Sequence, residues 1–359
     1  MRMRRLLAFP VALVFGSAAC SLVRSWDDLA RVPADAGKAD SCVFCAEPVA
    51  TGLNEPMAVV VSGDAVYWSE APSPSTGPGK VRRTNDGGVF DIASSSVTPT
   101  AIAVVSGHAF WLGAEPAYAL AFVARCTAGC IVTWDGTTVT ANPPSSLLTR
   151  GDGWLVDGMA ADTRGVYWTI TAVNRERLTG AVAFCAPPCP DGPTLVATGQ
   201  ASPRGVAIDG TYVYWANEEE GTVRRIARDD AGDGASEVVT GDVAGPSQIA
   251  LQGDYVYFTA DGDDSAVLRA PKTGGAAESV ALEQEGAFAI AADESGVYWT
   301  TWIPSGVVAT CPLVGCAGRP RVIARAASPY GIALDREYVY FTTRTRDGGV
   351  LRAPKAIPK

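Results

Sequence analysis

The sequence predicts an all-β protein, a seven-bladed β-propeller, with six blades as the alternative count. Three observations carry that prediction. First, an aromatic pair recurs as Tyr67-Trp68, Phe110-Trp111, Tyr167-Trp168, Tyr214-Trp215, Tyr257-Phe258, Tyr298-Trp299 and Tyr340-Phe341, at intervals of 43, 57, 47, 43, 41 and 42 residues. Propeller blades of roughly 40 to 50 residues repeat at that period. Second, a fixed register precedes each pair. Ten residues ahead stands a small residue (Ala58, Ala101, Gly158, Gly205, Ala289, Gly331), with Gln248 the exception; nine ahead stands a larger apolar residue, and eight ahead Ala in six repeats. Small, large, small at a period of two is a strand whose alternate side chains face a crowded place, and in a propeller that place is the axis. Third, no sustained 3.6-residue period competes, and 38 Gly with 24 Pro supply many turns.

Each repeat parses into four strands, a to d. Strand a is typified by "GVAID" (205–209), and an Asp/Gly turn follows, built from residues that tolerate positive φ. Strand b is the aromatic "VYW", apolar on consecutive residues because a blade packs on both faces. Strand c is "GTVRR" or "GVLRA", and strand d is "SEVVTG", "TLVATG" or "PRVIAR". The one long interval falls at 133–153, an elaborated outer strand and loop. After Phe341 the chain supplies only a strand c, so the seventh blade lacks its outer strand. The stretch "EPVATGLNEP" (47–56) resembles "TLVATGQASP" (194–203), a strand d running into the next strand a. The start of the domain is therefore expected to complete the last blade, which leaves no open sheet edge between them.

The first 45 residues stand apart from this repeat. A basic "MRMRR", an apolar "LLAFPVALVFG" (6–16) and "SAAC" ending at Cys20 form a processing segment, its apolar run shorter than the roughly 17 to 25 residues that span a bilayer. It resembles a bacterial lipoprotein signal, which implies a lipid on Cys20, although Ser17 stands where Leu is usual; ordinary cleavage after Ala19 is the alternative. Ser21 in place of Asp implies the outer membrane or cell surface. The expected division is 1–19 signal peptide, 20–45 lipidated cysteine and tether, and 46–359 propeller.

Nine cysteines less Cys20 leave eight, all in close pairs: Cys42 with Cys45, Cys126 with Cys130, Cys185 with Cys189, and Cys311 with Cys316. Close pairs in an exported chain predict disulfides, here at the turns from strand c to strand d. Zinc would need two pairs to converge, and whole repeats separate them; haem attachment would need His where Ala46 stands. A net charge of -9 argues against nucleic acid and anionic lipid surfaces, so membrane contact is expected through the anchor only. A monomer is expected.

The stretches "PRGVAIDGTYVYW" (203–215) and "PYGIALDREYVYF" (329–341) resemble propellers of the YWTD and NHL-like kind. Nearly all of 47–355 is similar to uncharacterised bacterial propeller lipoproteins with VYW and paired-cysteine repeats. The resemblance implies fold and export, in families that bind proteins, glycans or nothing known; the partner expected here is an unknown protein or glycan. Propeller lyases work with a histidine base, but the only histidine, His108, lies in the a-to-b turn "VVSGHAFW", opposite the usual site. Lactonase-like propellers set Glu, Asn and Asp around an axial metal, whereas the axial positions of this chain are Ala and Gly, with Gln248 the main polar exception. "STGPGK" (75–80) lacks a phosphate-loop ending. Asp261, Asp263 and Asp264, and the run at 229–234, lack the closing Glu of a calcium loop and predict solvated turns. No catalytic residue, cofactor or metal is assigned.

The b-to-c loops vary most among the repeats and share one face with the d-to-a loops. Variable loops on a constant frame are where recognition is placed. The candidate binding residues are Arg175, Arg177, Glu218, Glu219, Glu220, Trp302, Tyr330, Arg344 and Arg346. Aromatics beside charges suit a glycan or a protein segment. The expected function is a surface-anchored binding or scaffold module. The alternatives are a propeller-type lyase or lactonase with an unrecognised axial metal site, and a structural envelope protein.

Overall fold

The computed structural model describes residues 46–356, apart from 76, 86–87, 116–119, 127–129, 135–138, 143–146, 153, 174–177, 188, 190–191, 231–235, 263–264 and 317–318. The expectations for residues 1–45, with Cys20, Cys42 and Cys45, lie outside the described residues, as do those for Arg175, Arg177, Asp263 and Asp264. Seven blades surround one axis, which settles the count at seven. Their innermost strands are Pro56–Ser62, Thr98–Val105, Trp154–Asp162, Pro203–Ile208, Pro246–Gln252, Ala287–Asp293 and Pro329–Leu334. Each touches the next, and the last touches the first.

The consecutive aromatics explain the ring. Trp68, Trp111, Trp168, Trp215, Phe258, Trp299 and Phe341 are fully buried. Successive residues on a strand point to opposite faces, so the two members of a pair enter different cores. Tyr67 packs with Trp111 of the next blade, Phe110 with Trp168, Tyr167 with Trp215, Tyr214 with Phe258, Tyr257 with Trp299, Tyr298 with Phe341, and Tyr340 with Trp68. Seven cores thus lie between seven blades, and the last joins the ends of the chain.

The small residues ten ahead of each anchor sit where inner strands meet. A Cβ added to Gly205 would stand 2.8 Å from the Gln248 Cα of the next blade, and one on Gly331 would stand 2.3 Å from the Met57 carbonyl oxygen. No larger side chain fits there without moving backbone. A hydroxyl directly after the aromatic pair binds strand a of its own blade in five blades and crosses to the next blade in three. Ser69, Thr169, Thr259, Thr300 and Thr342 each accept the strand-a N–H ten residues before their blade's anchor, at 2.8–3.2 Å. Thr259, Thr300 and Thr342 also donate to the next blade, reaching the carbonyl oxygens of Phe288 (3.0 Å), Tyr330 (2.7 Å) and Met57 (2.7 Å).

The opposite face is tied by charge. Arg228, Lys272 and Lys355, just past strand c, reach Asp162, Asp209 and Asp293 in the a-to-b turn of the preceding blade. Each cation also stands over that blade's tyrosine, Tyr167, Tyr214 or Tyr298, at 5.2, 5.9 and 5.5 Å. The bond from Arg228 holds the Asp162 carboxyl below the usual range against partial burial. Burial would raise Asp209 and Asp293, but hydrogen bonds from backbone and from Lys272 and Lys355 outweigh it and lower both.

Closure follows the expected route. Strand Glu47–Leu53 pairs antiparallel with Gly348–Pro354, setting Glu47 opposite Arg352, and Arg352 binds Glu47 at 3.0 Å. The long interval is a hairpin, Cys130–Trp134 with Val139–Asn142, between strands c and d of blade 2. Instead of extending its own blade, it pairs in parallel with Gly88–Ser95 of blade 1 and enlarges that sheet to six strands. Three predicted disulfides are formed in the expected turns, Cys126–Cys130, Cys185–Cys189 and Cys311–Cys316, with Cα separations of 6.1, 5.6 and 5.3 Å. Such bonds fit an extracellular or periplasmic protein. Among the described residues, no helix is long and apolar enough to cross a membrane.

Candidate functional site

At the axis, on the face of the b-to-c loops, lies a pocket of about 440 Å³. One residue from the start of each inner strand lines it: Met57, Thr100, Asp157, Arg204, Ser247, Phe288 and Tyr330. All seven stand eleven residues before their anchor, next to the small residue of the seam. The small residue turns against the neighbouring strand, so its predecessor turns into the axial opening. The strands loosen at this point, because pairing between strands a and b shifts register there in all seven blades. The seam hydroxyls of Thr259, Thr300 and Thr342 bind the carbonyls of three ring members and fix them in place.

The ring has two poles. On blades 3 to 5, Arg204 donates from Nε to Glu218 Oε2 (2.8 Å) and from Nη1 to Asp157 Oδ2 (3.1 Å). Gln248 Nε2 donates to Asp157 Oδ1 at 3.1 Å, across 91 residues of sequence, and Ser202 Oγ donates to Glu218 at 3.2 Å. Burial would lower the Arg204 guanidinium, but Asp157 and Glu218 overcome it and raise its pKa. Asp261 adds a third carboxylate to the lining.

The other pole is aromatic. Phe288 and Tyr330 lie 4.4 Å apart, Phe288 and Trp302 5.4 Å, and Trp302 and Tyr330 meet edge-on at 5.0 Å. Arg344 stands over the rings of Trp302 and Tyr330 at 5.0 and 4.9 Å, with Glu55 at 3.8 Å behind it. Burial pushes the Tyr330 hydroxyl up to about 12, with Arg344 opposing and Asp157 reinforcing the shift. Tyr330 is therefore a neutral donor throughout the physiological range.

Of the predicted residues, Glu218, Trp302, Tyr330 and Arg344 come together in or beside this pocket. Glu220 turns to its own blade and binds Asn217, Thr222 and Arg224. Glu219 and Arg346 are exposed. Asp157, Arg204, Ser247 and Phe288 were not expected, though their signal is in the repeat: the position eleven before the anchor holds seven different residues amid a near-constant register. His108 lies in its a-to-b turn on the opposite face, its Nδ1 3.3 Å from the Ser106 carbonyl oxygen. Among the described residues no group of three or more His, Cys, Asp or Glu converges on a metal position.

No family model matches the chain. Solved structures similar to it include streptogramin B lyase, with 14% identity, a TM-score of 0.59, and coverage of 86% of this chain and 97% of that one. The PQQ-bound aldose sugar dehydrogenase from Streptomyces coelicolor aligns with 13% identity and a TM-score of 0.50, over 86% of this chain and 96% of that one. A chain of a nidogen/laminin complex aligns with 17% identity and a TM-score of 0.47, over 66% and 86%. Likeness at these identities shows the propeller fold alone.

Proposed function

We propose that this chain is an exported binding module, held at the envelope surface by a lipid on Cys20, whose axial pocket takes a glycan. One observation carries the reading: the Phe288–Trp302–Tyr330 cluster faces the Asp157–Arg204–Glu218 network across a single pocket. A sugar has an apolar C–H face and an edge of hydroxyls. The first packs on aromatic rings, and the second takes paired hydrogen bonds from carboxylate and guanidinium. Trp302 is 43% exposed, unusual for so large a ring, and offers its surface at the rim. A volume of about 440 Å³ falls within the range of small-molecule sites, roughly 300 to 1,000 Å³.

The test is a glycan array probed with the full-length protein, followed by titration calorimetry on any hit. Trp302→Ala with Arg344→Ala, and separately Glu218→Gln, should each weaken binding at least about tenfold, or 1.4 kcal/mol, with the melting temperature unchanged. Equal binding by these variants, or no glycan retained, would refute the pocket's role. Capture of peptides in place of glycans would assign the same pocket to a protein partner. The anchor is checked separately by intact mass of membrane-extracted protein, where a lipid increment should vanish in Cys20→Ser.

A further inference from the structure

A groove of about 730 Å³, larger than the axial pocket, lies on the opposite face between blades 6 and 7. Its lining holds four cations, Arg319, Arg321, Arg336 and Lys355, against one acid, Glu337. Lys355 is committed to Asp293. The three arginines are not. Most arginines among the described residues have a carboxylate within 4 Å, whereas no ion pair forms at Arg319, Arg321 or Arg336. Arg321 uses one N–H on the Lys355 carbonyl oxygen, at 2.6 Å, and keeps its remaining donors. Arg319 and Arg336 are exposed.

Three guanidinium groups without an ion pair share this groove in a chain of net charge -9. Like charges repel, and an anion bound between them would offset that repulsion. The turn that carries Arg319 is held by the Cys311–Cys316 disulfide and by the Arg319 N–H bonded to the Cys316 carbonyl oxygen at 3.1 Å. Arg336 comes from the a-to-b turn of blade 7, pinned by Asp335, whose Oδ1 accepts the N–H groups of Glu337 (2.7 Å) and Tyr338 (2.6 Å). Two rigid turns from different blades thus present unpaired planar donors to one space. Such an arrangement matches a tetrahedral oxyanion, whose oxygens accept bidentate pairs from several guanidinium groups.

We propose that this groove binds a phosphate group, independently of the axial pocket. Two sources carry that chemistry, a soluble phosphate ester and an anionic lipid headgroup. The second is close at hand in geometry: residue 46 lies at the start of the strand that pairs with Gly348–Pro354, at the Pro354–Lys355 end bordering the groove. The side of the propeller that the N-terminal segment joins is therefore the side that carries the arginines. The acidic net charge of the whole chain hides this local reversal.

The experiment uses the full-length protein in two arms: titration with inorganic phosphate, and co-sedimentation with phosphatidylglycerol vesicles against phosphatidylcholine vesicles. Arg319→Ser/Arg336→Ser is compared with Arg164→Ser/Arg225→Ser, a double variant of equal charge on blades 3 and 4. The groove variant should lose phosphate binding at least about tenfold while the control keeps it, both melting as the parent does. Retention on anionic vesicles that falls with the same variant identifies the lipid source; phosphate binding without vesicle retention identifies a soluble ester. Absence of both activities, or equal losses in the two double variants, overturns the proposal.

Discussion

The Thr342 hydroxyl donates to the Met57 carbonyl oxygen at 2.7 Å, joining residues 285 apart in sequence. The Thr342 hydroxyl oxygen in turn accepts the Gly331 N–H at 2.8 Å, so one side chain ties its own inner strand to that of blade 1. With the Glu47–Leu53 strand completing blade 7 at the rim, the ring is closed twice, at the axis and at the outer edge. Blades 2 and 4 carry Leu112 and Ala216 in place of the hydroxyl.

Replacing Thr342 by Val keeps the shape and removes both bonds. The Met57 carbonyl and the Gly331 N–H would then be buried without a partner, which costs roughly 1–3 kcal/mol. Chemical denaturation should show that loss in Thr342→Val and recover most of it in Thr342→Ser. A change below about 0.5 kcal/mol, the level of ordinary surface substitutions, would mean that the hydroxyl does not hold the seam.

Gly205 and Gly210 separate two reasons for glycine within one blade. A Cβ on Gly205 would strike Gln248 backbone, while one on Gly210 meets nothing within 4 Å. Gly205→Val should destabilise the protein by roughly 3 kcal/mol, the upper range for overpacking, and Gly210→Ala by almost nothing. Comparable melting temperatures for the two would contradict the close approach of inner strands 4 and 5.

Asp162 gives the opposite-face seam a pH dependence of known sign. Its carboxyl is held below the unfolded value of 3.8, chiefly by the bond from Arg228. An acid with a lowered folded pKa contributes stability that is fully present above the unfolded value and is lost as pH falls through the folded one. The gap between the parent and Asp162→Asn, measured by denaturant unfolding, should be constant from pH 8 to 5 and shrink below 3.8. A gap that persisted at pH 2.5 would show that the pair adds nothing as an ion pair.

The frame was legible because it repeats. Seven aromatic pairs, the small residue ten ahead and the orphan strand at 47–53 each follow from local pattern, and each is where the structure has it. The contacts that give the molecule its chemistry were not legible, for a physical reason: they join blades. Arg228 finds Asp162 across 66 residues and Gln248 finds Asp157 across 91, and no local period encodes such distances. Gln248 was the one visible clue, the polar exception at a small position. Arg204 and Tyr330 occupy the same register one residue earlier, yet only Tyr330 stood out, because an aromatic is conspicuous and an arginine beside "GVAID" looks like an ordinary surface charge. The hairpin at 130–142 was visible as extra length, but its choice of blade 1 over its own blade was not.

Arg204 supports a last prediction, read in salt and not in pH. The guanidinium lies 3.1 Å from Asp157 and 2.7 Å from Glu218, and its side chain is 40% exposed. Arg204→Met would leave the two carboxylates facing one pocket with only Gln248 and Ser202 as donors. Without the shared cation, two ion pairs are lost and the carboxylates repel each other across one pocket. The variant should therefore lose about 1 kcal/mol relative to the parent at low ionic strength, a value discounted for solvent screening. The loss should narrow as salt is raised, because salt weakens both the ion pairs of the parent and the repulsion in the variant. Urea unfolding of the two proteins at low and high sodium chloride makes the comparison. A loss for Arg204→Met that stayed constant as salt rose would show that Arg204 acts through packing of its stem and not through its charge.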